Sequence, residues 1–315
     1  MRLRIYIIVL ILAGAFPVAA HAQSVGVEIQ PELSTVYVKP GSTIKIPIVV
    51  KNTGNQGSFI AEGVALQPQG NQGSMVQARD LPRGISIETL ANEPFFLPTG
   101  AEKKLEMTIT IDPLLAPRDY YLATQVTSVG KKRSEGKSSI AIDLSAFSTV
   151  LLTITNDGNM NISGYINSLT TGKDSNVRFF DSTQAIPLDL IMHNSGDNWM
   201  YTSGTIAISD MFGNMELIQI PQQRVLAGTK RLVRSLQTTT PQHTAILSGM
   251  HMGKYTVTAR MAVEGKNTMP TKTITFIAFP FRLIGALSLL GILATVIGAR
   301  ANRPAQQRQV HPHRL

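Results

Sequence analysis

The chain has 315 residues, a formal net charge of +9 and a pI near 9.8. Basic proteins of this kind often bind nucleic acid, but seven of the arginines lie in or beside the two terminal apolar segments, and all 20 acidic residues lie between those segments. The charges of the middle nearly balance, which argues against a nucleic-acid partner. The absence of cysteine excludes disulfides and thiolate metal sites.

The N-terminus has the three parts of a secretory signal peptide. Met1–Arg4 is basic, Ile5–Pro17 is apolar, and Ala20–Ala22 gives the small-x-small pattern that signal peptidase accepts. We predict that residues 1–22 are a signal peptide and that the mature chain begins at Gln23. The alternative, an uncleaved anchor, is weaker because the apolar part is shorter than the roughly 20 residues of a spanning helix.

Period-two alternation dominates the middle of the chain. Apolar Ile44, Ile46, Ile48 and Val50 alternate with other residues, as expected of a strand with one buried face. The same pattern recurs at 105–111, 186–192 and 255–263. We predict an all-β fold: two tandem Ig-like β-sandwich domains, residues 23–156 and 157–277. Pro47 cannot donate to a ladder, so its nitrogen should face an open edge.

An internal repeat supports the two tandem domains. The segment Val50–Asn55, a strand end followed by an Asn- and Gly-containing turn, is echoed by Met192–Asp197. Leu97–Gly100 is echoed by Leu226–Gly228, in the same order along the chain. The predicted boundary is the turn-rich stretch 156–159.

The C-terminal end predicts a membrane anchor. Leu283–Ala299 carries no charge, and we predict a transmembrane helix at 279–299, followed by a basic cytoplasmic tail at 300–315. Arg282 would lie among the outer headgroups, while Arg300 and Arg303 would keep the tail inside by the positive-inside rule. The prediction is a single-pass, type I protein of the cell membrane, with the bulk of the chain extracytoplasmic.

No constellation of catalytic residues stands out. The sequence lacks G-x-S-x-G, H-E-x-x-H and P-loop motifs, and His193, His243 and His251 are far apart in sequence. We therefore predict a non-enzymatic protein with no cofactor and no metal site. One alternative remains open, because Met250-His251-Met252 offers thioether and imidazole ligands of the type that suit Cu(I).

Two groups of residues are candidates for a binding surface. Basic residues cluster on a predicted hairpin tip, where they could attract an anionic polymer or lipid headgroups, and two aromatic residues follow a turn, where they could contact carbohydrate or protein. The residues are Lys131, Lys132, Arg133 and Lys137 in the first group and Trp199 and Tyr201 in the second.

The order of several short motifs resembles the bacterial WxL-interacting surface proteins. The matching stretches are Val38–Gly41, Asn52–Gly54, Asp112–Tyr121, Ile162–Asn167, Val225–Arg231 and Gly253–Tyr255. The resemblance implies a peptidoglycan-binding Ig-like domain, a second, host-binding Ig-like domain, a transmembrane helix and a basic tail. It also implies attachment to peptidoglycan or another cell-wall polymer and recruitment of other surface proteins.

Three functions follow from these observations. The first is a membrane-anchored surface scaffold that adheres to cell-wall polymer and to other surface proteins. The second is a membrane-anchored Ig-like assembly chaperone that acts through β-strand pairing, which a long unprotected edge strand would favour and an edge guarded by Pro and Lys would weaken. The third is an extracytoplasmic copper-handling domain.

Overall fold

The computed structural model describes residues 26–88, 90–129, 145–172, 178–238 and 240–301. The chain divides into two compact units. The N-terminal unit contains the chain up to Gln67 and Gln77–Asn159, and the C-terminal unit contains Pro68–Val76 and the chain from Met160 onward. The predicted signal peptide and most of the predicted tail, with Arg303, lie outside the described residues.

The described residues form strands β1–β19 and one helix. The first ten strands are β1 (Val27–Gln30), β2 (Leu33–Val38), β3 (Thr43–Asn52), β4 (Gly57–Gln69), β5 (Ser74–Gln77), β6 (Ile85–Glu88), β7 (Ala91–Leu97), β8 (Glu102–Ile111), β9 (Asp119–Val129) and β10 (Ser145–Ile154). The remaining elements are β11 (Gly164–Thr171), β12 (Phe179–Asp181), β13 (Ile186–Asn194), β14 (Met200–Asp210), β15 (Met215–Val225), β16 (Lys230–Leu232), β17 (Ala245–Leu247), β18 (Gly253–Val263), β19 (Thr271–Phe279) and the helix α1 (Phe281–Ala301).

Strands β1–β10 form two sheets that enclose one core. The first sheet has the order β1-β3-β8-β6, and the second has the order β2-β10-β9-β4-β5 with β7 also paired to β4. Their inner faces bury alternate apolar side chains, among them Ile48, Met107, Leu122 and Leu152. Burial of one face explains the period-two pattern of the sequence. The predicted all-β, Ig-like sandwich is confirmed at this level.

The first strand of the N-terminal unit is divided between the two sheets. Its first part, β1, pairs antiparallel with β3, and its second part, β2, pairs parallel with β10. A single strand thus pairs with part of one edge in each sheet, and the rest of both edges pairs with no other described strand.

The C-terminal unit repeats this arrangement. Strand β11 pairs antiparallel with β13, and β12 pairs parallel with β19. The two sheets have the orders β11-β13-β16, with β17 also on β13, and β12-β19-β18-β14-β15. Their core includes Leu188, Met192, Ile206, Val257 and Phe276.

The repeated asparagines occupy equivalent places in the two units. Asn52 ends β3 and Asn194 ends β13, and both side chains are fully buried. The side-chain amide of Asn52 donates to Leu97 O at 3.0 Å, and that of Asn194 donates to Val225 O at 3.1 Å. In each case the side-chain oxygen accepts the N–H of the glycine two residues later. The asparagine therefore ties a turn to the end of another strand, which explains the repeat in the sequence.

Removal of the Asn194 side chain should destabilise the C-terminal unit. The Asn194→Ala substitution leaves buried backbone groups without partners, so we expect the free energy of unfolding to fall by about 1–3 kcal/mol. Urea denaturation followed by the fluorescence of Trp199, the one tryptophan of the chain, measures this change. Asn267→Ala, at an exposed position of the same unit, is the control. Equal midpoints for the two variants would contradict the prediction.

Candidate functional site

Strand β10 has an open edge near its start. Strand β2 pairs with Thr149–Ile154 only, so Ser145–Ser148 is paired with β9 on one side and with no described strand on the other. At the end of this stretch, the Ser148 hydroxyl donates to Pro31 O. We call Ser145–Ser148 the open edge.

The backbone of Phe147 faces outward at the open edge. Thr149 N donates to Glu32 O at 2.8 Å, on the side of β10 away from β9. Because the direction of the backbone groups alternates along a strand, the N–H and C=O of Phe147 point to that same side. The Phe147 side chain is 42% exposed, and Val129 at the end of β9 is 39% exposed. The open edge therefore combines outward backbone groups with accessible apolar surface.

The corresponding edge of the other sheet, residues 43–48 of β3, is protected against the addition of a strand, and we call it the guarded edge. Strand β1 pairs only with Val49–Asn52 of β3. The first half of β3 therefore pairs with β8 on one side and with no described strand on the other. That half carries Pro47, which has no N–H to offer, and Lys45, which forms an ion pair with Glu106 at 2.6 Å. Proline and lysine discourage the addition of a strand. The prediction that Pro47 lies beside an open edge is consistent with this register.

The predicted aromatic surface is built around an arginine. Trp199 is 6% exposed and packs edge-to-face on Tyr201, with ring centroids 5.0 Å apart. The guanidinium of Arg224 lies 4.5 Å from the Trp199 centroid and donates to the Tyr201 hydroxyl at 2.8 Å. Such stacking holds a cation against the rings. Trp199 thus belongs mainly to the interior, and a binding role for the pair stays a prediction.

A second arginine lies close to this cluster. Arg231 donates to Arg224 O at 2.6 Å. Burial lowers the pKa of Arg231, and the neighbouring charges of Arg234 and Arg224 lower it further. Sequence reasoning missed this grouping, because its members come from the end of one strand and the start of the next. The predicted basic group, Lys131, Lys132, Arg133 and Lys137, lies outside the described residues.

The helix α1 is joined to the C-terminal unit by a buried carboxylate. Asp181 at the end of β12 accepts the backbone N–H of Arg282 at 3.0 Å, in the first turn of α1. Its other oxygen accepts from the hydroxyl and the backbone N–H of Thr183. These hydrogen bonds, first that of the Thr183 hydroxyl and then that of Arg282, lower the pKa of Asp181. A carboxylate at a helix N-terminus also complements the helix dipole.

The helix is long and apolar enough to cross a bilayer. Its window Phe281–Gly298 has a mean hydropathy of 2.0, and none of that window is buried against the rest of the chain. Arg282 lies in its first turn and Arg300 in its last. The helix lies close to the predicted segment 279–299, and its crossing of a bilayer stays a prediction. The sequence gave no signal for the role of Asp181, which is distant in sequence.

The proposed copper ligands lie in a turn before β18. His251 packs edge-to-face against Tyr255 with ring centroids 5.6 Å apart, while Met250 and Met252 are both exposed. Among the described residues, no group of three or more His, Cys, Asp or Glu side chains is placed to hold a metal ion. Copper handling by the two thioethers and one imidazole stays an untested alternative.

Comparisons with known proteins give similarity in structure only. No family model matches the chain, and no curated protein does. The class 5 fimbriae chaperone CfaA is 9% identical with a TM-score of 0.38, over 80% of this chain and 99% of that chain. The E. coli chaperone DraB is 9% identical with a TM-score of 0.37, over 82% and 99%. The CsuC–CsuE chaperone–tip adhesion subunit complex of Acinetobacter baumannii gives 8% and 0.37, over 81% and 99%.

These comparisons correct the expected family. The predicted resemblance to WxL-interacting surface proteins is wrong, because fimbrial chaperones are among the solved structures that match and no WxL-interacting protein is among those compared above. Binding to peptidoglycan was implied by that resemblance and loses its support with it; attraction of an anionic polymer by the basic group at 131–137 concerns residues outside the described ones. At these TM-scores, the similarity to chaperones carries no functional argument of its own.

The Asp181 carboxylate should make the helix junction sensitive to acid. Because its pKa is lower in the folded chain, its contribution is fully present above the ordinary carboxyl pKa and is lost as the pH falls through the lowered value. Exchange of the Arg282 amide hydrogen, measured in detergent between pH 7 and pH 3 and corrected for intrinsic exchange, should report weakening at the acidic end. Asp181→Asn should remove most of this pH dependence, while Asp157→Asn, at an exposed loop, should not. An unchanged pH profile in Asp181→Asn would refute this role.

Proposed function

We propose that this chain is a non-enzymatic, extracytoplasmic assembly chaperone of the Ig-like type, which binds a β-rich client by strand pairing. The observation that carries the proposal is the open edge of β10, which has outward backbone groups at Phe147 and contains neither proline nor lysine. The guarded edge of β3 shows by contrast that the same unit protects the corresponding edge of its other sheet. Because one edge of the unit is protected against strand addition and the other is not, we infer that the unprotected edge binds a partner strand.

The chemistry of the open edge suits an extended peptide. An added strand would pair with the backbone of Ser145–Ser148, and main-chain hydrogen bonds of this kind give affinity without strict sequence dependence. Exposed Phe147 and Val129 would contact alternate side chains of the client. In the sequence, apolar residues alternate immediately upstream at Ile140, Ile142 and Leu144, outside the described residues. The proposed client is therefore a strand with one apolar face.

The proposed chaperone is held at a membrane by α1. The support is the uninterrupted apolar surface of the helix, its length, and the basic residues that follow it. In this topology both units lie outside the cytoplasm, where secreted clients fold. Surface or secreted proteins of the same cell are the proposed partners.

Proline at the open edge should block strand pairing. Phe147→Pro removes one outward N–H while leaving the hydrogen bonds between β10 and β9 intact. We expect the affinity for a synthetic peptide of alternating isoleucine and threonine to fall about fivefold, because one backbone hydrogen bond contributes about 1 kcal/mol. Titration gives the affinity, and hydrogen exchange at 145–148 shows whether the peptide covers the open edge.

Two controls separate backbone pairing from other contacts. Phe147→Ala keeps the N–H and removes only the side chain, so it should weaken binding but preserve peptide-induced protection at 145–148. Thr43→Pro, at the start of β3, introduces a proline at the guarded edge and should leave peptide affinity unchanged. Equal binding by Phe147→Pro and the unmodified chain would rule out pairing at this edge.

Client folding distinguishes a chaperone from a simple receptor. Any secreted β-rich protein encoded beside this chain would be the first candidate for co-expression with it. The yield of correctly folded client should fall when Phe147→Pro replaces the unmodified chain and should be largely retained with Thr43→Pro. A client that binds but folds equally well without the chain would support a receptor or scaffold instead.

A further inference from the structure

We propose that the C-terminal unit docks directly on the bilayer, with two apolar loops inserted among the lipid headgroups beside α1. The inference rests on the proposed membrane anchoring and adds a second contact with the lipid, made by the folded unit itself. The two loops are the β14–β15 turn, with Met211 and Phe212, and the segment before β18, with Met250 and Met252. We call them the basal loops.

The connection to the helix leaves no room for a spacer. Strand β19 ends at Phe279 and α1 begins at Phe281, so Pro280 alone separates them. The 21 residues of α1 span about 31 Å at 1.5 Å per residue, close to the roughly 30 Å of the hydrocarbon core. A helix that fills the core places Phe281 at its boundary. The end of β19, one residue away, then lies within the headgroup layer.

The basal loops lie at the same end of the unit as the helix. Register pairs Gly253 at the start of β18 with Ala278 near the end of β19. It also pairs Asp210 at the end of β14 with Tyr255. Both basal loops therefore meet the end of the sheet from which α1 departs.

The basal loops expose unusually apolar side chains. Phe212 is 75% exposed, Met250 65%, Met211 61% and Met252 53%. Methionine and phenylalanine side chains of this kind are suited to the boundary between headgroups and acyl chains. Exposed apolar residues that cluster at one place mark an interaction surface, whereas single ones need no explanation.

Hydrogen bonds fix the second basal loop to the helix junction. His251 N donates to Ser182 O at 3.1 Å, and Ser182 N donates to Phe279 O at 3.2 Å. The neighbouring Asp181 accepts from Arg282 N. Met211 of the first loop lies directly over Gly253, where a Cβ atom would collide with its sulfur. The loops and the first turn of α1 are therefore held together as one surface.

The opposite end of the same sheet has a different composition. The β18–β19 connection contains Glu264, Gly265, Lys266, Asn267 and Thr268, which suit water. Met269 is the exposed apolar residue of that connection. The contrast between the two ends matches a unit with one end in the headgroups and the other in solution.

Site-directed spin labelling of the full chain tests this docking. The chain has no cysteine, so Ser248→Cys introduces a unique labelling site beside the basal loops without altering their apolar residues. Thr268→Cys labels the opposite end and Leu290→Cys labels the middle of α1. In nanodiscs of phosphatidylcholine and phosphatidylglycerol, collision rates with oxygen, which concentrates in lipid, and with a nickel chelate, which stays in water, report the position of each label.

We expect the label at Ser248→Cys to meet the nickel chelate several-fold less often than the label at Thr268→Cys. Adding Phe212→Asp should raise that rate, because a carboxylate resists transfer out of water, whereas adding Met269→Asp should not. If Leu290→Cys is in lipid but Ser248→Cys is as accessible as Thr268→Cys, docking is overturned and anchoring stands. If Leu290→Cys is itself open to the chelate, the proposed anchoring fails and docking fails with it.

Discussion

One strand shared between two sheets sets the main constraint on each unit. A sandwich has two sheets whose edges need cover, and a first strand that crosses between them covers only part of each. Within the described part of the N-terminal unit, this leaves the first half of β3 and the first residues of β10 paired on one side only. An uncovered edge is a risk of aggregation unless it is protected or used. Pro47 and the Lys45–Glu106 ion pair protect one of these edges.

The same division in the C-terminal unit has a different outcome. There the second part of the first strand, β12, runs beside the end of β19 and brings Asp181 to the N-terminus of α1. The same division of the first strand thus leaves an open edge in the first unit and forms the helix junction in the second. The two units share this division of the first strand, but the second part of that strand has different surroundings in each.

Local patterns in the sequence were sufficient to predict the strands and the helix. Alternation at Ile44–Val50 reflects burial of one face of a strand, and the uncharged run Leu283–Ala299 is typical of a long apolar helix; both signals act over a few residues. The signal from Asn52 and Asn194 is local for a similar reason, since each shapes its own turn. The predicted family resemblance was wrong because its short motifs correspond to turns that are common in Ig-like domains. Such motifs carry no information about a ligand.

The candidate site was much less accessible to prediction. The open edge depends on where β2 stops along β10, and those strands are more than a hundred residues apart in sequence, so alternation in either one cannot reveal their register. Asp181 and Arg282 are likewise distant, and the carboxylate has no local motif. Pro47 was the exception. A proline inside an alternating strand has no N–H to donate, so its nitrogen is expected to face an unpaired side whichever strand pairs with the other side.

In the proposed membrane-anchored chain, the single-residue connection at Pro280 would also determine how force and motion pass between lipid and protein. A glycine- and serine-rich tether would let a domain swivel and change its height, as flexible linkers do. Here β19 continues almost directly into α1, and the Asp181 carboxylate accepts a hydrogen bond from the first turn of the helix. Any tilt of the helix in a thicker or thinner bilayer would therefore be transmitted to the C-terminal unit, making its orientation responsive to membrane thickness.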